Sequence, residues 1–478
     1  MMIALHARDV LDNRSFLFLL PTGMEFQSIN PKDGTVIASY RVMGEDEVAS
    51  IVEASHAAGK GWGITSIPER QAALNRLADL LERHQSTLAQ LMTDEMGKVL
   101  YESKAEVKKC AQCCRYFAEH APQLLRPKET PTEAIRSYLM LAPLGVILGI
   151  MPWNFPLWQV MRFAIPTLLV GNGVLLKHAD NVFGCALALE DLFAQAGFPE
   201  NLFRVLLIET SHIEAVIAHP AVEGVALTGS ERAGRAVSRI AGAHLKPAVM
   251  ELGGSDPYII LDDADLDLAV RCCAQSRFRN AGQVCIAAKR IIVTPGIYDD
   301  FLDTLTDIVD GISCGDPYVD TMTMGPMARD DLRHNLQRQV QDSVAMGARV
   351  IRGGDIIDGP GYFFQPTLIA EVDETMPLFT QETFGPVAVV CAARDESHAI
   401  ELANASRYGL GASVFSSDLD RAERIARDEI ECGAGFVNAV VKSEPAIPFG
   451  GVKASGFGRE LGSSGIRAFA NLKHVYVD

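Results

Sequence analysis

The sequence predicts an α/β fold built on a Rossmann-type, doubly wound parallel sheet, and three observations carry that prediction. From Pro143 to about residue 245 the chain repeats strand, turn and helix: Gly145 to Ile150, Gly173 to Leu176 and Val222 to Leu227 are short apolar runs, each followed by a helical pattern. Asn154, Lys177 and Ser230 fall just past the ends of these runs, where open parallel sheets bind their ligands. A second α/β segment starts near Met250 and includes strand-like Tyr258 to Leu261 and Ala388 to Cys391.

Taken in order, residues 1–23 read as an extension ahead of Met24. Their apolar run Ser15 to Leu20 is too short for an export signal, follows Asp9, Asp12 and Arg14, and lacks a small-residue cleavage pattern. After the turn Asn30 to Gly34, Thr35 to Arg41 reads as a strand. Helices are expected over 45–60, 67–84 (with Pro68 in its first turn), 85–96 (stopped by Gly97) and from Lys98 to about His120. Pro122, Pro127 and Pro131 then break the pattern. Ile135 to Ala142 alternates as a strand outside any βα unit; it needs an edge to pair with and points to an oligomer contact. Helices follow after Pro156, after Asp180 to about Gly197, and over Glu231 to Leu245, and in the second segment at about 297–310 and 329–347. The stretch Asn438 to Gly458 is rich in Gly, Ser and Pro, and Phe469 to Val477 reads as extended.

Composition narrows the function. At 478 residues with 48% hydrophobic and 22% charged side chains, the chain fits two or three globular domains. A formal net charge of -17 repels a phosphate backbone, so no nucleic-acid role is expected. Ten scattered cysteines in so large a chain suit a reducing cytoplasm over a disulfide framework. Cys110-x-x-Cys113-Cys114 lies inside a helical pattern with no second Cys/His pair at finger spacing, so no metal is expected. No apolar run approaches the ~20 residues that span a bilayer.

Cys285 sits at a junction between the helical run Asp265 to Ser276 and the strand-like Arg290 to Thr294, with Gly282 permitting close approach. Arg277, Arg279, Lys289 and Arg290 surround it in sequence, as a stabilised thiolate would need; a buried apolar thiol is the alternative. Gly-x-Gly-x-x-Gly is absent after the strands. Thr228-Gly229-Ser230 opens a helix and could hold a pyrophosphate, although Ser230 serves equally as a plain N-cap.

Six motifs in register now carry a resemblance: Met151-Pro-Trp-Asn-Phe-Pro, Thr228-Gly-Ser, Glu251-Leu-Gly-Gly, Gly282-Gln-Val-Cys, Gln381-Glu-Thr-Phe-Gly-Pro-Val and Pro448-Phe-Gly-Gly-Val-Lys-x-Ser-Gly-Phe-Gly-Arg-Glu. Their order resembles the aldehyde dehydrogenase superfamily over about residues 27 to 478. The resemblance implies a coenzyme domain (24–124 and 144–250), a catalytic α/β domain (251–459) and a small β oligomerisation arm (125–143 and 460–478), hence a homodimer or homotetramer. It makes Cys285 the nucleophile, Asn154 an oxyanion donor with the Cys285 N–H, and Glu251 the base for hydrolysis. Without the motif, Glu251 reads as a solvated loop carboxylate.

For the coenzyme, the resemblance assigns Lys177 to the adenosine ribose, Ser230 to the pyrophosphate, and Glu382 and Phe384 to the nicotinamide ribose and ring, with Trp153, Thr228 and Gly229 also among the coenzyme-binding residues. Asp180, three beyond Lys177, would accept ribose hydroxyls and repel a 2′-phosphate, which favours NAD with NADP as the alternative. Leu227 replaces the Phe common before Thr-Gly-Ser, and Ile208 to Ile213 replaces a Gly-rich turn.

Arg162, eight residues after Asn154, Arg279, six before Cys285, and Ser443, five before Pro448, resemble the carboxylate clamp of the succinate-semialdehyde dehydrogenase branch. Phrases such as Leu176-Lys-His-Ala and Leu252-Gly-Gly-Ser-Asp-Pro look like its bacterial NAD(P)-dependent members. Arg162 lies in an apolar helix, so it should meet either an anion or an internal carboxylate. Residues 286–288 are Ile-Ala-Ala, so the second cysteine of some relatives' redox switch is missing. The expected reaction is oxidation of succinate semialdehyde to succinate; another aliphatic or semialdehyde substrate, or an inactive binding relative, are the alternatives. Glu251 argues against a CoA-acylating enzyme, which needs no hydrolytic base.

Overall fold

The strand, turn and helix repeat after Pro143 folds as a six-stranded sheet in the computed structural model, which describes residues 24–478. The expected extension 1–23 lies outside the described residues. Strand order is Phe203–Val205, Gly173–His178, Val146–Met151, Val222–Thr228, Ala248–Glu251 and Gly456–Phe457, the first five parallel and the last antiparallel. Register pairs Ile150 with both Lys177 and Leu227, and Thr228 with Glu251. Four strand ends therefore share one rim. The helix Trp158–Val170 is buried along its whole length, as its all-round apolar sequence requires.

The second segment forms a seven-stranded sheet ordered Arg349–Arg352, Thr367–Ala370, Val387–Ala392, Ala288–Val293, Asp256–Ile260, Gly411–Phe415 and Ala434–Val437. Only Arg349–Arg352 runs antiparallel to its neighbour. Because Gly456–Phe457 leaves this segment to pair beside Glu251, the two sheets are laced together next to the site.

The detached strand, Arg136–Pro143, finds its partner within the chain: it pairs antiparallel along its length with Ala470–Val477, and Lys128–Glu129 adds a third strand. Leu472 and Tyr476 of this sheet are exposed. Glu460, grouped with this arm by sequence, instead bridges Phe449 through two 2.8 Å backbone bonds and lies in the site. The helix Leu100–Leu124 runs through Pro122, which the sequence had suggested as a break. Pro122 falls in the last turn, where a missing N–H removes only one helical bond. Among the described residues no helix is long and apolar enough to cross a membrane. Cys110, Cys113 and Cys114 are buried on this same helix among core side chains.

Candidate active site

The helix Leu266–Phe278 ends at a short left-handed turn, with φ of 53° at Asn280, 50° at Ala281 and 70° at Gly282. L-residues resist this conformation by roughly 1–2 kcal/mol each, so the turn needs external support. Glu102 accepts the Asn280 N–H at 3.0 Å, and the Asn280 side chain donates to the Asn154 carbonyl at 2.8 Å. The buried Gln283 amide donates to the Asn280 carbonyl at 3.1 Å and accepts from the Ala328 N–H at 2.9 Å. Cys285 follows, partly exposed to a cavity.

The four basic residues around Cys285 divide their work. Arg277, fully buried, donates to the carbonyls of Gly282, Thr383 and Gly385. Arg290 clamps the carbonyls of Ser255, Leu402 and Ala403. Lys289 reaches the Cys285 carbonyl at 2.9 Å, the Gly254 carbonyl at 2.6 Å and the Glu382 carboxylate at 2.5 Å. Only Arg279 faces the cavity. The thiolate stabilisation expected from this cluster is not what the structure gives: burial pushes the Cys285 thiol up to about 11, outweighing the opposing pull of Arg162 and Lys289.

Asn154 is buried on the turn after Val146–Met151, and its side-chain amide donates to the Gln283 carbonyl at 3.0 Å. An amide has a second N–H, so one donor remains for a ligand beside Cys285. This turn is pinned by His178, which the sequence did not single out. Its Nε2 lies 2.8 Å from the Pro156 carbonyl, and its Nδ1 lies 3.1 Å from the Met151 carbonyl and 2.9 Å from the Ala179 N–H. Burial depresses the imidazole to about 4 and keeps it neutral.

Glu251 ends the strand Ala248–Glu251, is 2% exposed, and its Oε1 has no hydrogen-bond partner among the described residues. Burial and the adjacent Glu460 carboxylate raise its pKa well above the usual range, while Arg162 and Arg459 oppose this. Glu460 forms an ion pair with Arg162, whose Nη2 also donates to the Thr228 hydroxyl at 3.1 Å and whose guanidinium lies 4.8 Å from the Phe449 ring centre. Glu251 and Glu460 are thus two buried carboxylates held near one guanidinium. Such a pair retains a proton that neither acid would keep alone in water.

The cavity is lined by Cys285, Arg162, Arg279 and Ser443, with Phe155 and Trp158 among its apolar walls. All three residues of the expected clamp are brought together there. Arg162 has the internal carboxylate partner that its sequence context left open. Arg279 is exposed and lies 5.5 Å from the Phe155 ring centre. Ser443 accepts from Trp158 Nε1 at 3.0 Å and from Lys109 Nζ at 3.1 Å.

Across the rim lie the residues expected to hold a dinucleotide. Lys177 pairs with Asp180 at 2.6 Å, the lysine buried and the aspartate half exposed. Ser230 caps the helix Glu231–Ala243 through the Ala233 N–H at 3.3 Å; the plain-cap role is real, and Gly229 beside it leaves the helix start accessible. Phe384 packs edge-on to Trp153 at 5.8 Å, and Glu382 accepts the Gly254 N–H at 3.1 Å. A Cβ at Gly253 would lie 2.2 Å from Glu382 Oε2, so the glycine is what lets this carboxylate approach. The set fits a dinucleotide: a lysine and carboxylate at one strand end, a capped helix start at the next, and aromatic and carboxylate groups near Cys285.

The residues missed by sequence reasoning share a signal. Glu102, Glu106 and Lys109 recur at helical spacing on the stripe of Leu100–Leu124 that continues into Cys110, Cys113 and Phe117. Charged groups on an otherwise apolar stripe must find partners inside. Glu106 accepts the Leu157 and Trp158 N–H groups at 2.9 Å each, capping the Arg162 helix from outside, and pairs with Lys98.

Comparison with known proteins adds four findings. The profile of the Aldehyde dehydrogenase family matches residues 19–475. A Deinococcus radiodurans protein named succinate-semialdehyde dehydrogenase [NADP(+)] is 46% identical over 450 residues, covering 94% of each chain. The Escherichia coli K12 succinate semialdehyde dehydrogenase [NAD(P)+] Sad is 42% identical over 94% of this chain and 97% of its own. Among solved structures, a Streptococcus pyogenes succinic semialdehyde dehydrogenase in complex with NADP+ superposes with a TM-score of 0.92 at 38% identity, covering 95% of this chain and 99% of that one.

Proposed function

The chain belongs to the aldehyde dehydrogenase family, and from that premise we propose that it oxidises succinate semialdehyde to succinate with a nicotinamide dinucleotide. The observation that carries this reading is a cavity behind Cys285 whose apolar walls hold cationic groups and the Ser443 hydroxyl. A four-carbon aldehyde with a distal carboxylate matches that distribution. Its named relatives act on the same compound.

In this reading the Cys285 thiol releases its proton to water and its Sγ adds to the aldehyde carbon. Negative charge grows on the carbonyl oxygen, where the Asn154 amide and the Cys285 N–H donate; one such donor is worth ~3 kcal/mol in the transition state. A bound nicotinamide would supply the acceptor for the hydride whose loss turns the adduct into a thioester. Lys177, Asp180, Trp153, Thr228, Gly229, Ser230, Glu382 and Phe384 would hold the coenzyme. Glu251 takes a proton from the water that hydrolyses the thioester, and Glu460 with Arg162 tunes it. Arg162, Arg279 and Ser443 are assigned to the substrate's distal end, Arg162 sharing its charge with Glu460.

The residues around Asp180 lean to NAD, whereas the relatives' names carry NADP(+) or NAD(P)+. Because Asp180 already holds Lys177, a 2′-phosphate must compete for that lysine. We assign the protein to the reducing cytoplasm on its ten free cysteines, and a homodimer or homotetramer to the arm sheet with its exposed Leu472 and Tyr476. Steady-state kinetics test the function: succinate semialdehyde against hexanal, each with NAD and with NADP. A preference for the carboxylated aldehyde is expected, and equal kcat/KM for the two refutes the substrate.

A further inference from the structure

Three polar side chains on one face of Leu100–Leu124 point into the molecule, and two have structural partners. Glu102 holds the Asn280 N–H, and Glu106 holds two N–H groups and Lys98. Lys109 does not fit that pattern. No carboxylate among the described residues forms an ion pair with it. Its Nζ sits 4.1 Å from the Trp158 ring centre, donates to Ser443 Oγ at 3.1 Å, and lines the cavity with Cys285.

The neighbouring cations sharpen the contrast. Arg162 is matched by Glu460, and Arg277 and Lys289 are engaged with backbone carbonyls. Lys109 and Arg279 are the cavity-lining cations that form no ion pair among the described residues, although Glu106 lines the same cavity. Burial, then Arg279 and Arg162, push the Lys109 ammonium down to about 8. Positive charge without a counter-ion destabilises such a site until an anion enters. Ser443 completes the arrangement. Its oxygen already accepts two donors, from Lys109 and Trp158, so its own O–H is left to donate.

We propose that Lys109 is a specificity-determining residue: its ammonium joins Arg279, the Ser443 hydroxyl and Arg162, whose charge is shared with Glu460, in receiving the distal carboxylate of the aldehyde. The inference rests on the carboxylated-aldehyde reading above. It adds a contact that the two arginines and the serine do not include, and it gives the Trp158 ring a role, as the surface that holds the ammonium in place.

The test uses the purified full chain and its Lys109→Gln and Lys109→Arg variants, assayed with succinate semialdehyde, glutarate semialdehyde and butanal. The readout is the ratio of kcat/KM for each carboxylated aldehyde to that for butanal, together with inhibition by succinate. Loss of a charge-assisted hydrogen bond predicts that Lys109→Gln lowers the ratio by about 10- to 100-fold, mostly through KM, and raises the succinate inhibition constant in parallel. Lys109→Arg should recover most of the ratio. An unchanged ratio in Lys109→Gln, or equal losses on butanal and the carboxylated substrates, overturns the proposal. If the wild type prefers glutarate semialdehyde and Lys109→Gln removes that preference, Lys109 stands and the succinate-semialdehyde assignment falls. If the wild type prefers no carboxylated aldehyde, both fall.

Discussion

Gly282 is a point of close approach between the nucleophile turn and the coenzyme loop, and replacing it with alanine should disable both. Its φ of +70° places an added Cβ 2.1 Å from the Gly385 carbonyl oxygen and 2.7 Å from Arg277 Nη2. Ordinary carbon–oxygen contact needs about 3.3 Å, so the two segments must separate by roughly 1 Å. Holding alanine in the left-handed region costs about 1–2 kcal/mol, and overpacking adds ~1–3 kcal/mol. A net loss of roughly 2–5 kcal/mol of stability follows from those two terms. The catalytic effect should be larger in kind. Gly385 lies one residue past Phe384, so the same displacement moves Cys285 away from the groups assigned to the nicotinamide, and a 1 Å misplacement costs about 100-fold in rate. The assay is the pre-steady-state burst and steady-state kcat with succinate semialdehyde, alongside the urea midpoint. A Gly282→Ala enzyme that keeps kcat within threefold and its full stability would show that the turn yields freely, and would refute the reasoning.

Glu251→Gln should keep the first-turnover burst of reduced coenzyme while steady-state turnover falls by about 100- to 10,000-fold, as loss of a general base predicts; a missing burst would place Glu251 before hydrolysis. Asp180→Ala should raise the NADP over NAD ratio of kcat/KM about tenfold, since one half-exposed charge acting on a phosphate is worth ~1–2 kcal/mol. A change below twofold would remove Asp180 from coenzyme choice. His178, depressed to about 4 in the fold from an ordinary 6.5, takes a proton in the unfolded chain first. Its contribution is therefore complete above about pH 6.5 and lost as pH falls toward 4, on the order of 3 kcal/mol in all. The urea midpoint of His178→Gln should fall less steeply between pH 7 and 4.5 than that of the wild type; identical slopes would exclude His178 as the source.

The parallel-sheet architecture was legible because central strands are short apolar runs and their turns carry the polar residues. Asn154, Lys177 and Ser230 could be placed at strand ends for that reason, and the structure sets them along one rim together with Glu251, whose short strand Ala248–Glu251 the sequence reading did not include. Partners that depend on distant chain segments were not legible. Glu460 stood in a recognisable motif without a role until Arg162, nearly 300 residues earlier in sequence, met it. Lys109 lay on the buried stripe of its helix, but the sequence did not show what it would meet there. The basic cluster near Cys285 misled for a related reason: proximity in sequence suggested charge acting on the thiol, whereas strand and turn geometry sent Arg277 and Arg290 to backbone carbonyls.

The helix Leu100–Leu124 touches the nucleophile turn through Glu102, the start of the Arg162 helix through Glu106, and the cavity wall through Lys109. Three parts of the site are thereby measured from one rigid rod. A single-residue insertion between Glu102 and Lys109 would turn the later contacts by about 100° relative to the first, dissolving them together. Point changes can adjust each contact separately, but the length of this segment is fixed by all of them at once, which leaves it no room for insertion or deletion.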